Sequence, residues 1–246
     1  MQSPFKSVGN GLFGACAGAV FTVVSLATLV VLVAVPGLSM RRRIVHRAAR
    51  ILFSVPGINL SIRGLGHIPS EPCIIVANHA SYLDGPILTA ALPPRFAFVI
   101  KREMTLVPLA HFFLRRIGSE FVERSESSRN AADARRLLQK ATARESLAFF
   151  PEGTFHEEPG LRRFHNGAFA AARRGSLPVV PVVIRGSRRM LPASRWLPQP
   201  GHLEVIVRCP LDPATAATTA ELLDAARRSI LDDLDEPDSG RPAGTA

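Results

Sequence analysis

Residues 7–40 carry no charged side chain, and residues 12–35 are almost continuously apolar. As one helix those 24 residues would reach about 36 Å, enough for the hydrocarbon core of a bilayer. A secretory signal has a shorter apolar stretch and a small-residue cleavage site, and neither fits here. Gly11, Gly14 and Gly18 loosen the first half, so a shallow re-entrant or interfacial hairpin is the alternative to a single helix. A second apolar run, residues 51–62, is broken by Pro56-Gly57 and is too short to span. It either lies on the membrane or starts a folded domain as a strand from about Asn59.

Beyond residue 58 the pattern alternates. Residues 73–77, 96–100, 146–150, 179–184 and 203–208 are short apolar runs with the character of buried strands. Residues 129–143, 167–174 and 218–234 have helical composition, the last opened by a Thr218/Glu221 capping box. Strands alternating with helices predict an α/β fold. The expected division is an anchor and basic segment (1–57), one folded domain (58–236) and a disordered Pro- and Gly-containing tail (237–246). No internal repeat is visible.

Composition sharpens this outline. Of the 246 residues 47% are hydrophobic and 20% charged, which supports a packed core and excludes general disorder. The net charge is +10, mostly arginine. An anionic membrane surface or a phosphorylated substrate suits that charge better than nucleic acid, because there is one Tyr and one Trp and no zinc-finger or helix-turn-helix pattern. No nucleic-acid partner is expected. Arg41, Arg42, Arg43, Arg47 and Arg50 follow the apolar segment, whereas only Lys6 precedes it. The positive-inside rule then predicts that the folded domain lies on the cytoplasmic side, and the expected location is the inner (cytoplasmic) membrane. Cys16, Cys73 and Cys209 suggest neither a disulfide framework nor a metal cluster.

Two short elements carry candidate chemistry. In the first, a strand ending near Ala77 runs into Asn78-His79, and Ser81 sits three residues before Asp84 as a capping box for a new helix. Residues five apart do not align within one helix, but across a turn Asp84 can reach an imidazole nitrogen. A carboxylate so placed fixes the tautomer of His79 and stabilises its protonated form, leaving the other nitrogen to take a proton from a hydroxyl. Such help is worth about 10²–10⁴ in rate. A structural pairing is equally compatible with these residues alone. In the second, Pro151 ends a strand, Gly153 lets backbone approach a ligand, and Glu152 could hold a substrate hydroxyl or orient an arginine. An ordinary Pro-Glu-Gly turn is the plainer alternative. Arg162-Arg163, Arg173-Arg174 and Arg188-Arg189 are expected to be mostly solvated. Arg124 and Arg185 each end a strand-like stretch, where a guanidinium can grip phosphate bidentately.

Together and in this order, these elements resemble the PlsC-like family of glycerolipid acyltransferases. His79 and Asp84 match its His-x4-Asp motif, and residues 150–154 match its Phe-Pro-Glu-Gly-Thr motif. Residues 118–124 look like its intermediate block ending in arginine, and Val180-Pro181-Val182-Val183 like its fourth block. The resemblance covers roughly residues 58 to 210. It implies a single acyltransferase domain, a mixed sheet flanked by helices, behind the membrane helix or hairpin. It further implies transfer of a fatty acyl group from acyl-CoA or acyl-carrier protein to a lysolipid, commonly 1-acylglycerol-3-phosphate to give phosphatidate. His79 would be the general base and Asp84 its orienting partner. Arg124, Glu152, Gly153 and Thr154 would bind the acceptor, with Lys101 near the mouth of the site. No cofactor, metal or covalent intermediate is implied.

Three departures bear on the acceptor. Phe155 stands where relatives often have Arg or Ser, Glu123 where Asp is common, and His165 where Lys is frequent. A lysolipid with a larger headgroup, or an aminolipid, therefore competes with lysophosphatidate. A hydrolase would need Ser81 or Cys73 as nucleophile near His79, and no Gly-x-Ser-x-Gly elbow is present. A non-catalytic lipid-binding protein would leave both motifs unexplained. His156, Glu157, Glu158 and His165 match no common metal-site spacing.

Overall fold

Strand β2 (Ile74–Ala77) shows how the sheet is built, because all four of its residues are buried. Ile74 and Val76 face one apolar layer, and Ile75 and Ala77 face the other. A strand covered on both faces reads as an unbroken apolar run, which is why the sequence exposes it. In the computed structural model, which describes residues 4–123 and 128–240, β2 lies mid-sheet in the order β1-β7-β6-β2-β5-β3-β4. The other strands are β1 (Asn59–Arg63), β3 (Ala97–Lys101), β4 (Glu120–Val122), β5 (Leu147–Phe149), β6 (Val179–Arg185) and β7 (His202–Val207). All pairings are parallel except β6 with β7. The mixed α/β sheet predicted from the sequence is therefore present, and β2 to β6 end on one edge.

Helices cover both faces. Leu137 of α5 (Ser128–Thr142), Phe169 of α6 (Gly167–Gly175) and Ile230 of α8 (Thr219–Leu231) pack with Ile74 and Val76. The other face receives Ile87 and Leu88 of α3 (Asp84–Ala91) and Met190 of α7 (Ser187–Met190). It also receives Ala49 and Phe53 of α2 (Leu38–Ser54), a helix not expected from the sequence. Val45, Ala49 and Phe53 form its buried stripe at a spacing of four. A boundary at residue 57 thus cuts through a packed unit. Arg42, read as part of a topological charge signal, donates to the carbonyls of Arg95 (2.6 Å) and Ile117 (2.9 Å). Its burial lowers its pKa from the ordinary arginine value.

Helix α1 (Pro4–Ala34) is continuous, and by length and composition it is apolar enough to cross a membrane. Its glycines do not split it into a hairpin. Leu197 instead packs onto Gly14 and Gly18. Near its other end, Arg116 of α4 (Pro108–Arg116) donates to the carbonyls of Leu32 and Val33. A cation there satisfies the orphan carbonyls of a helix C-terminus.

Residues 237–240, expected to open a disordered tail, are hydrogen bonded across the domain. Pro237 O accepts from Leu161 N (2.8 Å), and Ser239 N donates to Leu161 O (3.1 Å).

Candidate active site

Where β2 ends, a side chain continues the ladder. The Asn78 amide donates to Ile184 O (2.9 Å) and accepts from Ile184 N (2.7 Å), so the neighbouring strand β6 fixes the exit of the chain. His79 follows, at the carboxyl edge of the parallel strands, where open α/β sheets bind ligands.

Asp84 is the first residue of α3 and is fully buried. Its Oδ2 accepts from His79 Nδ1 (2.9 Å), Ala80 N (2.6 Å) and Ser81 N (2.8 Å). The whole turn is wrapped around one carboxylate oxygen, which is how a spacing of five brings the pair together. With a carboxylate as partner Nδ1 carries the proton, and Nε2 keeps its lone pair. The imidazole is 17% exposed. Phe150 stacks on it at 4.2 Å, and Phe155 meets it edge-on at 4.8 Å. Tyr82 packs edge-on against Phe155 at 4.7 Å.

Ser81 does not cap α3. Its hydroxyl donates to Leu191 O (2.7 Å) and accepts from Leu83 N (3.1 Å), and the residue is fully buried. Cys73 lies at the opposite end of β2, and burial raises its thiol pKa. Neither is a poised nucleophile, since a reactive thiol needs a lowered pKa.

Glu152 follows β5, and β5 is hydrogen bonded to β2. That adjacency brings Glu152 Oε1 to His79 N (2.6 Å), while Oε2 accepts from Arg162 N (2.7 Å). Burial pushes its pKa up to about 7. The two backbone donors and the charge of Arg227 oppose that rise, and the charge of Asp84 adds to it. Glu152 was expected to contact the acceptor. Both of its oxygens accept from backbone donors, one of them on the His79 turn. Gly153 adopts φ +86° and closes a turn from its N–H to Phe150 O (3.0 Å), a conformation that favours glycine. Thr154 is exposed.

A polar cleft of about 560 Å³ opens beside this turn. Glu152, Thr154, Arg162, Arg163, His165 and Asn166 line it, and Ser239 and Gly240 wall one side. Glu158 pairs with Arg162 (2.9 Å), and among the described residues no three potential metal ligands converge.

The remaining candidates are spread along the rim. Lys101 ends β3, separated from β2 by β5, with Glu103 3.5 Å away. Arg124 lies outside the described residues. Arg185 is not free for phosphate, because it pairs with Glu204 (3.2 Å) and Asp235 (3.1 Å). Arg188 likewise pairs with Glu236 (2.8 Å), so several arginines expected in solvent hold the fold together. Sequence reasoning also missed an ion network beside the rim, centred on the buried Asp133. Asp133 takes Arg102 (2.7 Å), Arg136 (2.9 Å) and the N–H of Glu123 (2.7 Å). Burial alone would raise the Asp133 pKa, but these hydrogen bonds and charges outweigh it and leave it lowered. The sequence shows only charges on an amphipathic helix.

Comparison with known proteins fits this geometry. The match to a chloroplastic 1-acyl-sn-glycerol-3-phosphate acyltransferase of Brassica napus is 29% identical over 201 residues, covering 79% of this chain and 57% of that protein. The match to a lyso-ornithine lipid O-acyltransferase of Pseudomonas aeruginosa is 32% identical over 144 residues, covering 58% of this chain and 54% of that protein. The chain thus spans little more than half the length of these curated relatives. The crystal structure of the 1-acyl-sn-glycerophosphate acyltransferase PlsC from Thermotoga maritima superposes with a TM-score of 0.77. At 22% identity, covering 92% of this chain and 94% of that one, it shows the shared fold. The family model described as Acyltransferase matches residues 59–185, from β1 through β6, and the chain belongs to that family.

Proposed function

We propose that this protein transfers a fatty acyl group from a thioester to the free hydroxyl of a lysolipid, with 1-acylglycerol-3-phosphate as the favoured acceptor. The observation that carries the reading is the Asp84–His79 pair at the strand edge, its Nδ1 tied to carboxylate and its Nε2 free of that bond. The acceptor follows the names of several relatives, which are 1-acyl-sn-glycerol-3-phosphate acyltransferases. Acyl-CoA and acyl-carrier protein are both suitable donors.

In this reading the acceptor hydroxyl gives its proton to His79 Nε2 as its oxygen attacks the thioester carbonyl. Asp84 stabilises the imidazolium that forms. The tetrahedral intermediate collapses, the C–S bond breaks, and the thiolate takes the proton back from His79. The products are an ester and a free thiol, with no covalent enzyme intermediate. The cleft beside Thr154, with Arg162, Arg163 and His165, suits an anionic headgroup.

Purified protein should acylate lysophosphatidate from acyl-CoA or acyl-carrier protein, release no fatty acid without acceptor, and lose turnover in His79→Ala. Full turnover in that variant would refute the base assignment. One relative points to a second acceptor, since it is a lyso-ornithine lipid O-acyltransferase. The apolar Phe155 against His79 fits an acceptor without a phosphate at that position. Competition between the two lysolipids at equal concentration decides.

The site of action in this reading is the cytoplasmic face of the inner membrane. Helix α1 is held against the domain at Gly14 and again at Leu32, about 27 Å apart along a helix. Held at both levels, α1 lies alongside the domain, and the domain would meet the bilayer through that flank. Trp196, 96% exposed next to Leu197, is placed for the interfacial region. A spin label on the exposed Cys16 should report a shallow depth in vesicles; a mid-bilayer depth would favour a true span.

A further inference from the structure

The segment after α8 returns to the cleft beside Glu152, and it is held there by specific contacts. Pro237 and Ser239 bracket Leu161 with two backbone hydrogen bonds, making a short parallel bridge between Leu161 and Asp238. Glu236 accepts from Gly160 N (2.8 Å) and pairs with Arg188. Arg227, nearly buried on α8, donates to Asp238, to Arg162 O and to Leu161 O (2.8 Å). Its guanidinium also lies over the Phe164 ring at 5.2 Å. Gly160 has φ +131°, and a Cβ there would overlap the Ser239 side chain. The fit therefore requires glycine at 160.

The peptide held in this way is the one that matters to Glu152. Arg227 grips the carbonyls of Leu161 and Arg162, and the N–H of Arg162 is one of two donors on the Glu152 carboxylate. The other donor is the N–H of His79. A continuous hydrogen-bonded path thus runs from Asp238 through Arg227, the 161–162 backbone and Glu152 to the backbone of the catalytic histidine. We infer that Arg227 and Asp238 are positioning residues for His79, and that residues 236–240 are a strap completing the active site. The inference rests on the acyl-transfer reading for its kinetic effect, not for the coupling itself.

The charged and titratable groups facing Glu152 are Asp84 and His79 on the β2 side and Arg227 on α8. Arg162, Arg163, His156 and His165 face it across the cleft. Releasing the strap withdraws the Arg162 donor, one of the interactions that hold the Glu152 pKa down. The acid limb of kcat should therefore move to higher pH.

The test uses the full chain in detergent, with acyl-CoA and lysophosphatidate as substrates. Asp238→Ala breaks the ion pair, Gly160→Ala displaces the strap without touching a charge, and Arg227→Lys keeps the charge but loses the fork. The first two should each lower kcat about 10- to 100-fold, the range expected when a reacting group shifts slightly, while donor KM stays within about twofold. Arg227→Lys should fall between them and wild type. Hydrogen exchange of the 78–81 amides should quicken in all three, and the acid limb should move up. Unchanged kcat overturns the inference. So does a loss of activity that tracks melting temperature while the acid limb and the 78–81 exchange stay put. If wild type transfers no acyl group the functional reading fails, and hydrogen exchange still decides the coupling.

Discussion

The two halves of the sheet's carboxyl edge are held by different physics. At the centre, β2 and β5 are uncharged strands buried on both faces, the turn after β2 is held by short hydrogen bonds to Asp84 and Glu152, and Asn78 ties that exit to β6. At the edge, β4 is half-buried and is braced by Asp133 with Arg102 and Arg136, and by Glu120 with Lys140. Central interactions act in low dielectric and are little screened, whereas half-exposed ion pairs weaken with salt. In the proposed reading the base, His79, is thus mounted on the part of the fold held in low dielectric, and the screened rim is left for substrates. On that reading, changes at the rim should alter acceptor specificity without disturbing the chemistry.

The largest effect should come from Asp84→Asn. An amide can no longer accept from His79 Nδ1 and two backbone N–H groups in the same way, and it favours the wrong tautomer. Loss of about 10³–10⁴ in kcat is expected, with acceptor KM little changed. A fall below about tenfold would mean that the pair is structural.

Next comes Glu152. Its pKa is raised from 4.5 to about 7 in the fold. Between those values the unfolded chain is ionised and the native state holds the proton, so native stability falls as pH rises through this window. The size is on the order of 1–3 kcal/mol. Activity should run the other way. The carboxylate is a much stronger acceptor for His79 N and Arg162 N than the neutral acid, so kcat should rise as pH passes 7. Glu152→Gln should flatten both slopes and lower kcat about tenfold. Melting curves and rates at pH 5 to 8 check the opposed signs. Parallel slopes would show that another group dominates.

Asn78→Ala should act on stability more than on rate. It leaves Ile184 N and O without the buried partners they now have, a cost of roughly 1–3 kcal/mol. A lowered urea midpoint with turnover retained below it is the expected result.

The contrast between centre and edge also explains what the sequence revealed. Strands β2, β5 and β6 were legible because burial on both faces leaves unbroken apolar runs. Asp84 was legible because its partner is five residues away. Helix α2 was hidden because its arginines mask a stripe as thin as Val45, Ala49 and Phe53. Helix α4 has no buried residue to betray it. Asn78, Arg227 and the 236–240 strap act on partners far along the chain, so no local spacing announces them. Arg185 was misread for a related reason. A rim arginine looks the same in sequence whether it faces a ligand or, as here, Glu204 and Asp235.

The smallest effect should come at the edge. Asp133 is 3% exposed in its side chain, but Arg102 and Arg136 are 35% and 41% exposed, so water screens the pair. Asp133→Asn should cost about 1 kcal/mol or less on that account. Its pKa is lowered in the fold, so the stabilisation it gives is present above the ordinary aspartate range and lost as pH falls through the folded value. The wild type should lose this increment in acid and the variant should not, so their melting temperatures should converge as pH drops. Arg102 also faces Glu123 at 3.7 Å, directly before Arg124, so loosening Asp133 should raise acceptor KM more than it lowers kcat. If kcat falls instead with KM fixed, the edge is coupled to the base, and the separation between chemistry and acceptor binding does not hold.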